Sequence, residues 1–302
     1  MPKLIVFAHG IGDAPEDFYE EWRDAIDWGK IIGKRLDQSD IVVKGLWWED
    51  VLQKVANKYP VISNKMADLV AMCGFAQMEE WVGNPRWKEF QDYVMDVLVY
   101  AGLDDMWQYI QNKCAIKLDN LRKDASGREI FEEADTILIG HSLGAAMLPH
   151  LVWREYADTN TIPYRGMILL ASPLGFESAM PKICEDFIQR MGDMCGSGSR
   201  NDTIAYFARA WNKVGDKRLK FICNKNDIVC SNVTFPVIGR VNLVPLRMGF
   251  NPAEVQIMNS EHNGCFESVS FGAPVLLKIV SNHDILTYLK QDAFNKALAA
   301  LL

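Results

Sequence analysis

The residues with the clearest chemical capacity lie in Gly140-His141-Ser142-Leu143-Gly144. A serine hydroxyl is a poor nucleophile until an imidazole takes its proton. The imidazole in turn needs a carboxylate to fix its tautomer and stabilise the imidazolium. Such a serine works from a turn so sharp that bulky residues two positions either side would collide with the adjoining strand and helix. Gly140 and Gly144 remove those side chains. The pentapeptide alone is a weak signal. Here an apolar run, Ile137 to Ile139, precedes it and Ala145-Ala146-Met147 follows it, which is the strand–turn–helix setting of a nucleophile elbow.

An acid and a base should follow Ser142 in the chain, each just beyond a strand, because loops at strand ends converge on one crevice. Asp227 fits the acid: it closes Asn224-Lys225-Asn226-Asp227, directly after the apolar run Leu219 to Cys223. An aspartate in an Asn-rich turn also suits an Asx turn without any chemical role. Of the five histidines, His9 and His141 lie upstream of the acid and His150 falls mid-helix. His262 and His283 remain. His283 is favoured: it closes a strand-like Val275 to Val280 and opens a terminal helix, Asp284 to Leu302, in which Asp284 is a first-turn acid. Asp284 itself cannot serve a histidine adjacent to it. His262 is the alternative base, in the polar loop Asn259 to Gly264 with weaker strand character before it. The developing oxyanion needs donors. The Leu143 amide is one, and the amide of Ile11, between Gly10 and Gly12, is the other. His9 is expected to hold that loop by hydrogen bonds.

The elements that must position these groups alternate. Leu4 to Ala8 is a short, wholly apolar run ending in His9-Gly10-Ile11-Gly12, which suits a parallel strand buried on both faces. Tyr19 to Leu36 reads as one amphipathic helix, with Trp22, Ile26, Ile32 and Leu36 on a single face. A strand follows at Ile41 to Trp47. Alternation then halts. Residues 49–134 show helical apolar spacing cut by Pro60, Gly74, Gly83, Pro85, Gly102 and Gly127, and read as a helical insertion or cap. Their tryptophans and methionines suit an acyl-binding surface, and equally an ordinary core of helices on the sheet. Beyond the elbow, a helix from Leu143 to about Tyr156 contains Pro149, expected to kink it or strip one backbone bond. A strand at Gly166 to Ala171 then runs into Ser172-Pro173-Leu174-Gly175. The glycines of Gly192 to Ser199 neither follow a strand nor open a helix, so they make no phosphate loop.

Composition narrows the partners. The chain has 302 residues, 49% hydrophobic and 24% charged, with a net charge of −7, which argues against nucleic acid and anionic membrane surfaces. Its seven cysteines form no C-x-x-C pair and no zinc spacing, and read as buried reduced thiols. The first apolar run is too short for a membrane span or a leader core, so a cytoplasmic location is expected, with no integral membrane segment.

With His-Gly-Ile-Gly early, Gly-His-Ser-Leu-Gly midway, an Asn-Asp turn after a later strand and a terminal His-Asp-Ile-Leu-Thr-Tyr-Leu, the chain resembles the α/β-hydrolase superfamily, and within it the lipases and esterases. The likeness covers residues 1–48 and 135–302. It implies a single α/β domain over 1–302 with a mostly parallel sheet, a Ser142–Asp227–His283 triad, oxyanion donors at Ile11 and Leu143, and neither cofactor nor metal. The family's sheet has eight strands. This chain starts at the strand feeding the oxyanion loop, so about six are expected, flanked by helices. The implied activity is hydrolysis of a small-molecule or lipid carboxylic ester through an acyl-enzyme. An acyltransferase, thioesterase or amidase would use the same site, and a non-catalytic binding module would use the fold alone.

Overall fold

A computed structural model describes residues 2–10, 14–51, 104–159, 161–172, 218–224, 255–258 and 284–302. Among them six strands form one sheet, each parallel to its neighbour: β1 (Lys3–Ala8), β2 (Ile41–Leu46), β3 (Thr136–His141), β4 (Gly166–Leu170), β5 (Leu219–Asn224) and β6 (Val255–Met258). Their spatial order is β2-β1-β3-β4-β5-β6. Leu4 to Ala8 and Ile137 to Ile139 are wholly buried. That is why these segments are continuous apolar runs rather than alternating ones: parallel strands are covered on both faces. Each of the larger side chains among them contributes about 1.5–3 kcal/mol by leaving water.

Two helical layers provide that cover. On one face lie α1 (Phe18–Ala25), α2 (Trp28–Ile32), α5 (Ile285–Leu289) and α6 (Asp292–Leu301), packed on Ile5, Phe7, Val43, Ile137, Ile139, Ile168, Leu170 and Ile222. The fit is tight at Gly45, where an added Cβ would come within 2.6 Å of the Tyr19 ring and 2.8 Å of Phe18. The other layer holds α3 (Asp104–Leu121) and α4 (Gly144–Thr159); α3 packs on β2 and α4, and α4 on β1, β3 and β4. Ile110, Cys114 and Leu118, four residues apart, form the buried stripe of α3. Among the described residues, the part of the expected insertion from Asp104 onward therefore supplies a helix of the connection between β2 and β3. Residues 52–103 lie outside the described residues.

Several expected boundaries move. The single helix expected over Tyr19 to Leu36 is α1, α2 and a 3-10 turn at Leu36–Gln38. Extended backbone at Ile26 ends the first piece; Asp27 caps the second, its carboxylate accepting from the Lys30 amide at 3.2 Å, and Gly33 closes α2 at φ 69°. The terminal helix is likewise two: the Asp284 side chain caps α5 by accepting from the Leu286 amide at 3.1 Å, and the chain turns extended at Gln291 before α6. Both breaks fall at polar caps inside an uninterrupted apolar period. The elbow helix runs on past Tyr156 to Thr159 with Pro149 inside it. The strand at Val255–Met258 occupies the stretch of weaker strand character before Asn259, whereas the expected strand at Val275 to Val280 falls outside the described residues.

At the amino ends of the strands, cations hold backbone carbonyls. Lys3 donates to the Leu302 carbonyl, and Arg165 to Leu301 and, at 3.1 Å, Leu302. Arg218 donates to the carbonyls of Arg165 at 2.6 Å and Tyr164. Beside α3, Arg122 gathers Asp119, Glu129 and Glu133. Behind that cluster Glu155 shares a hydrogen bond with Tyr164; burial, then Glu133, raises its carboxyl to about 7 despite the Tyr164 hydroxyl and Arg122.

Candidate active site

The strand order reverses between β1 and β3: the chain moves outward from β1 to β2, then returns to β1's other side and proceeds to β6. In open parallel sheets the carboxyl ends on either side of such a reversal leave a crevice. Here those ends carry His9-Gly10 and Ser142.

Ser142 has φ 54°, in the left-handed region that a residue with a side chain seldom adopts. Its N–H donates to the Leu170 carbonyl at 3.0 Å, and its carbonyl accepts from Ala145 at 2.9 Å, so one bond ties it to β4 and the other starts α4. The glycines explain how the turn fits. A Cβ on Gly140 would lie 2.6 Å from the Gly144 carbonyl oxygen. One on Gly144 would lie 2.4 Å from the carbonyl oxygens of both Ala8 and His9. One on Gly10 would lie 2.5 Å from Ser142 Cβ. The elbow is thus seated against the end of β1, and only hydrogen atoms fit between them. Ala171, just beyond β4 and beside the elbow, is the second non-glycine residue of positive φ among the described residues, at 49°.

Leu143 is buried just before the amino end of α4. Among the described residues no backbone acceptor takes its N–H. An amide so placed, backed by the helix dipole, suits a developing negative charge. His141 is buried below the turn, its ring 6.0 Å from Trp22 on α1 and 6.0 Å from Tyr288 on α5, edge-on to each.

His9 holds the loop after β1, as expected. Its Nε2 accepts from the Trp48 N–H at 3.1 Å, which leaves the proton on Nδ1, and Nδ1–H donates to the Gly10 carbonyl at 2.8 Å. Burial lowers its pKa to about 4, only partly opposed by the Gly10 bond, so the ring is neutral at physiological pH. Trp48 was not anticipated as part of the site. A tryptophan at a strand end reads as core in sequence, and no pattern announces its backbone partner.

Ile11, Asp227, His262 and His283 lie outside the described residues. The nearest described residues fix where each falls in the chain. Ile11 follows Gly10, and Asp227 comes three residues after Asn224, the last residue of β5. His262 comes four residues after Met258, which pairs with Asn224 across β5 and β6. His283 directly precedes the cap of α5. Both candidate bases therefore belong to the one segment between β6 and α5.

Among the described residues no group of three or more His, Cys, Asp or Glu is placed to hold a metal ion. No helix among them is long and apolar enough to cross a membrane. Cys114 is a free, buried thiol whose pKa burial pushes up, so it is unreactive as a nucleophile. No protein-family model matches the chain, and a search of curated proteins finds no relative.

Proposed function

We propose that this chain is an α/β-hydrolase-fold serine hydrolase that cleaves carboxylic esters through an acyl-enzyme. The observation that carries this reading is Ser142 at φ 54°, on a turn wedged between Gly140 and Gly144 and against Gly10, at the reversal of strand order. A residue with a side chain held in that conformation costs about 1–3 kcal/mol, and such strain collects where a side chain must be presented to a substrate.

In the proposed cycle Ser142 Oγ attacks the ester carbonyl while His283 takes its proton and Asp227 steadies the imidazolium. The amides of Leu143 and Ile11 bind the oxyanion. Collapse expels the alcohol, protonated by His283. Water, deprotonated by the same histidine, then attacks the acyl-enzyme and releases the acid and free Ser142. His283 is supported by the position of α5, whose cap follows it directly and whose Tyr288 lies one turn on, against His141. One observation favours His262 instead: it follows the end of β6, next to the strand that leads to Asp227.

The test is hydrolysis of p-nitrophenyl esters from acetyl to palmitoyl by wild type, Ser142→Ala, His283→Ala and His262→Ala. Ser142→Ala should lose at least about 10³-fold in kcat and all fluorophosphonate labelling while remaining folded. His283→Ala should fall on the same scale and His262→Ala by less than about tenfold. The reverse order assigns the base to His262. Full activity in Ser142→Ala overturns the hydrolase.

A further inference from the structure

Ile137, Ile139 and His141 share one face of β3, two residues apart, and the first two are core against α1, α5 and α6. His141 extends that row to the carboxyl end of the strand, one residue before Ser142. Two helices from opposite ends of the chain meet its ring there. Trp22 of α1 lies 6.0 Å away at 83°, and Tyr288 of α5 lies 6.0 Å away at 62°. All three rings are buried, Tyr288 completely and the other two to 8% exposure. α1 and α5 also pack on each other, so the two rings are held as a pair. Trp22 is in turn edge-on to Phe7 of β1 at 5.5 Å and to Phe18 at 4.8 Å, and Phe18 is edge-on to His9 at 5.0 Å. The rings thus run in contact from the end of β1, past His141, to α5.

Ser142 at φ 54° is strained, and such a backbone persists only where its surroundings over-determine it. Beyond Ser142 the restraint is its carbonyl, which accepts from Ala145, and Gly10 closes one flank. Before Ser142 the restraint is His141. Edge-on ring contacts prefer one orientation, which aliphatic packing does not, so they fix the His141 ring and the Cα from which the turn departs. We propose that Trp22 and Tyr288 are positioning residues: by gripping His141 from two helices they hold the Ser142 turn in its strained conformation. This rests on the serine-hydrolase reading for its catalytic meaning, but not for its structural content. A nucleophile displaced by a loosened grip costs rate rather than binding.

The test uses the full chain with three variants. Tyr288→Leu removes one ring of the grip, Tyr288→Phe keeps it, and Phe294→Leu removes a buried ring of the same core on α6. The Ser142 N–H donates to the Leu170 carbonyl at 3.0 Å, so its exchange, followed by NMR, reads the turn directly. In Tyr288→Leu that exchange should quicken at least about tenfold relative to the amides of β1. The kcat for ester hydrolysis should fall about tenfold with KM within about twofold. Tyr288→Phe should match wild type in both. Phe294→Leu should lower the urea midpoint and leave kcat and the relative Ser142 exchange unchanged. If Tyr288→Leu does not fold, Trp22→Phe, whose smaller ring withdraws from His141, is read by the same criteria. Unchanged relative exchange at Ser142 overturns the proposal. So does an unchanged kcat, or a fall that Phe294→Leu reproduces, since either is plain core packing. If wild type shows no serine-dependent turnover, the hydrolase reading fails by itself, and Ser142 exchange alone decides the grip.

Discussion

The two ends of the sheet are built on different principles. At the carboxyl ends of β1 and β3 the parts are neutral: glycines in van der Waals contact, a serine of positive φ, and a histidine kept uncharged by burial. At the amino ends of β1, β4 and β5 the parts are cations donating to backbone carbonyls. Close backbone approach sets atoms to within tenths of an ångström and leaves the electrostatics free for a reacting group. Cation-to-carbonyl bonds satisfy groups at element ends, and they tolerate small shifts. The molecule thus separates placement from fastening. Changes at the first end should cost activity before stability, and at the second end stability before activity.

The sharpest way to break this comparison is Gly144→Ala. Its Cβ would sit 2.4 Å from two backbone oxygens that cannot swing aside, so the elbow must shift away from β1. We expect kcat/KM to fall at least about 10²-fold, with about 1–3 kcal/mol lost in urea unfolding. Wild-type activity in this variant would mean that the contact between β1 and the elbow does not place the nucleophile.

Arg165→Ala tests the other end. It frees the carbonyls of Leu301 and Leu302 from their guanidinium donor, though Lys3 still reaches Leu302. The expected loss is about 2 kcal/mol in urea unfolding, with kcat and KM unchanged. A fall in kcat without a fall in stability would erase the division of labour.

The smallest effect is one of pH and separates the two histories of charge. An unfolded histidine takes its proton near 6.5, whereas His9 stays neutral to about 4. Its contribution to stability is complete above pH 6.5 and is lost as pH falls through that window. Glu155 runs the opposite way: ordinarily 4.5, held at about 7 in the fold, it lets the folded chain keep a proton that the unfolded chain has released. Its contribution is complete below pH 4.5 and disappears as pH rises toward 7. Glu155→Gln, compared with wild type by urea unfolding from pH 5 to 8, should flatten that second limb by about 1 kcal/mol after allowance for solvent screening. Identical slopes would show that Glu155 is ionised on both sides of folding.

How much of this was legible in the sequence follows from which physical signals are local. The runs Leu4 to Ala8, Ile137 to Ile139 and Gly166 to Ala171 announced buried parallel strands because burial on both faces leaves no polar register to break them. β6 gave only a weak strand signal, since Val255-Gln256-Ile257-Met258 is four residues long and carries a polar one. The breaks at Asp27 and Gln291 were missed because periodicity continues through them while the backbone does not. The glycines of the elbow declared a tight turn, but Gly10 as the surface against which Ser142 rests needs β1 and β3 to be neighbours, and they lie more than a hundred residues apart. Trp48 was invisible for the same reason: its partners are the backbone and ring of His9, just beyond the end of another strand.

The central position of β1 also has a consequence for the time course of synthesis. Ala8 pairs with Leu46 on one side and with Gly140 on the other. At about 5–20 residues per second, a ribosome adds the second partner roughly 7–30 s after the first strand is complete. Until β2 is made neither edge of β1 has a partner, and from then until β3 is made one edge of the apolar stretch Leu4 to Ala8 still waits for its neighbour. The same adjacency that brings the loop after β1 against the serine makes the nascent chain dependent on whatever shields that edge.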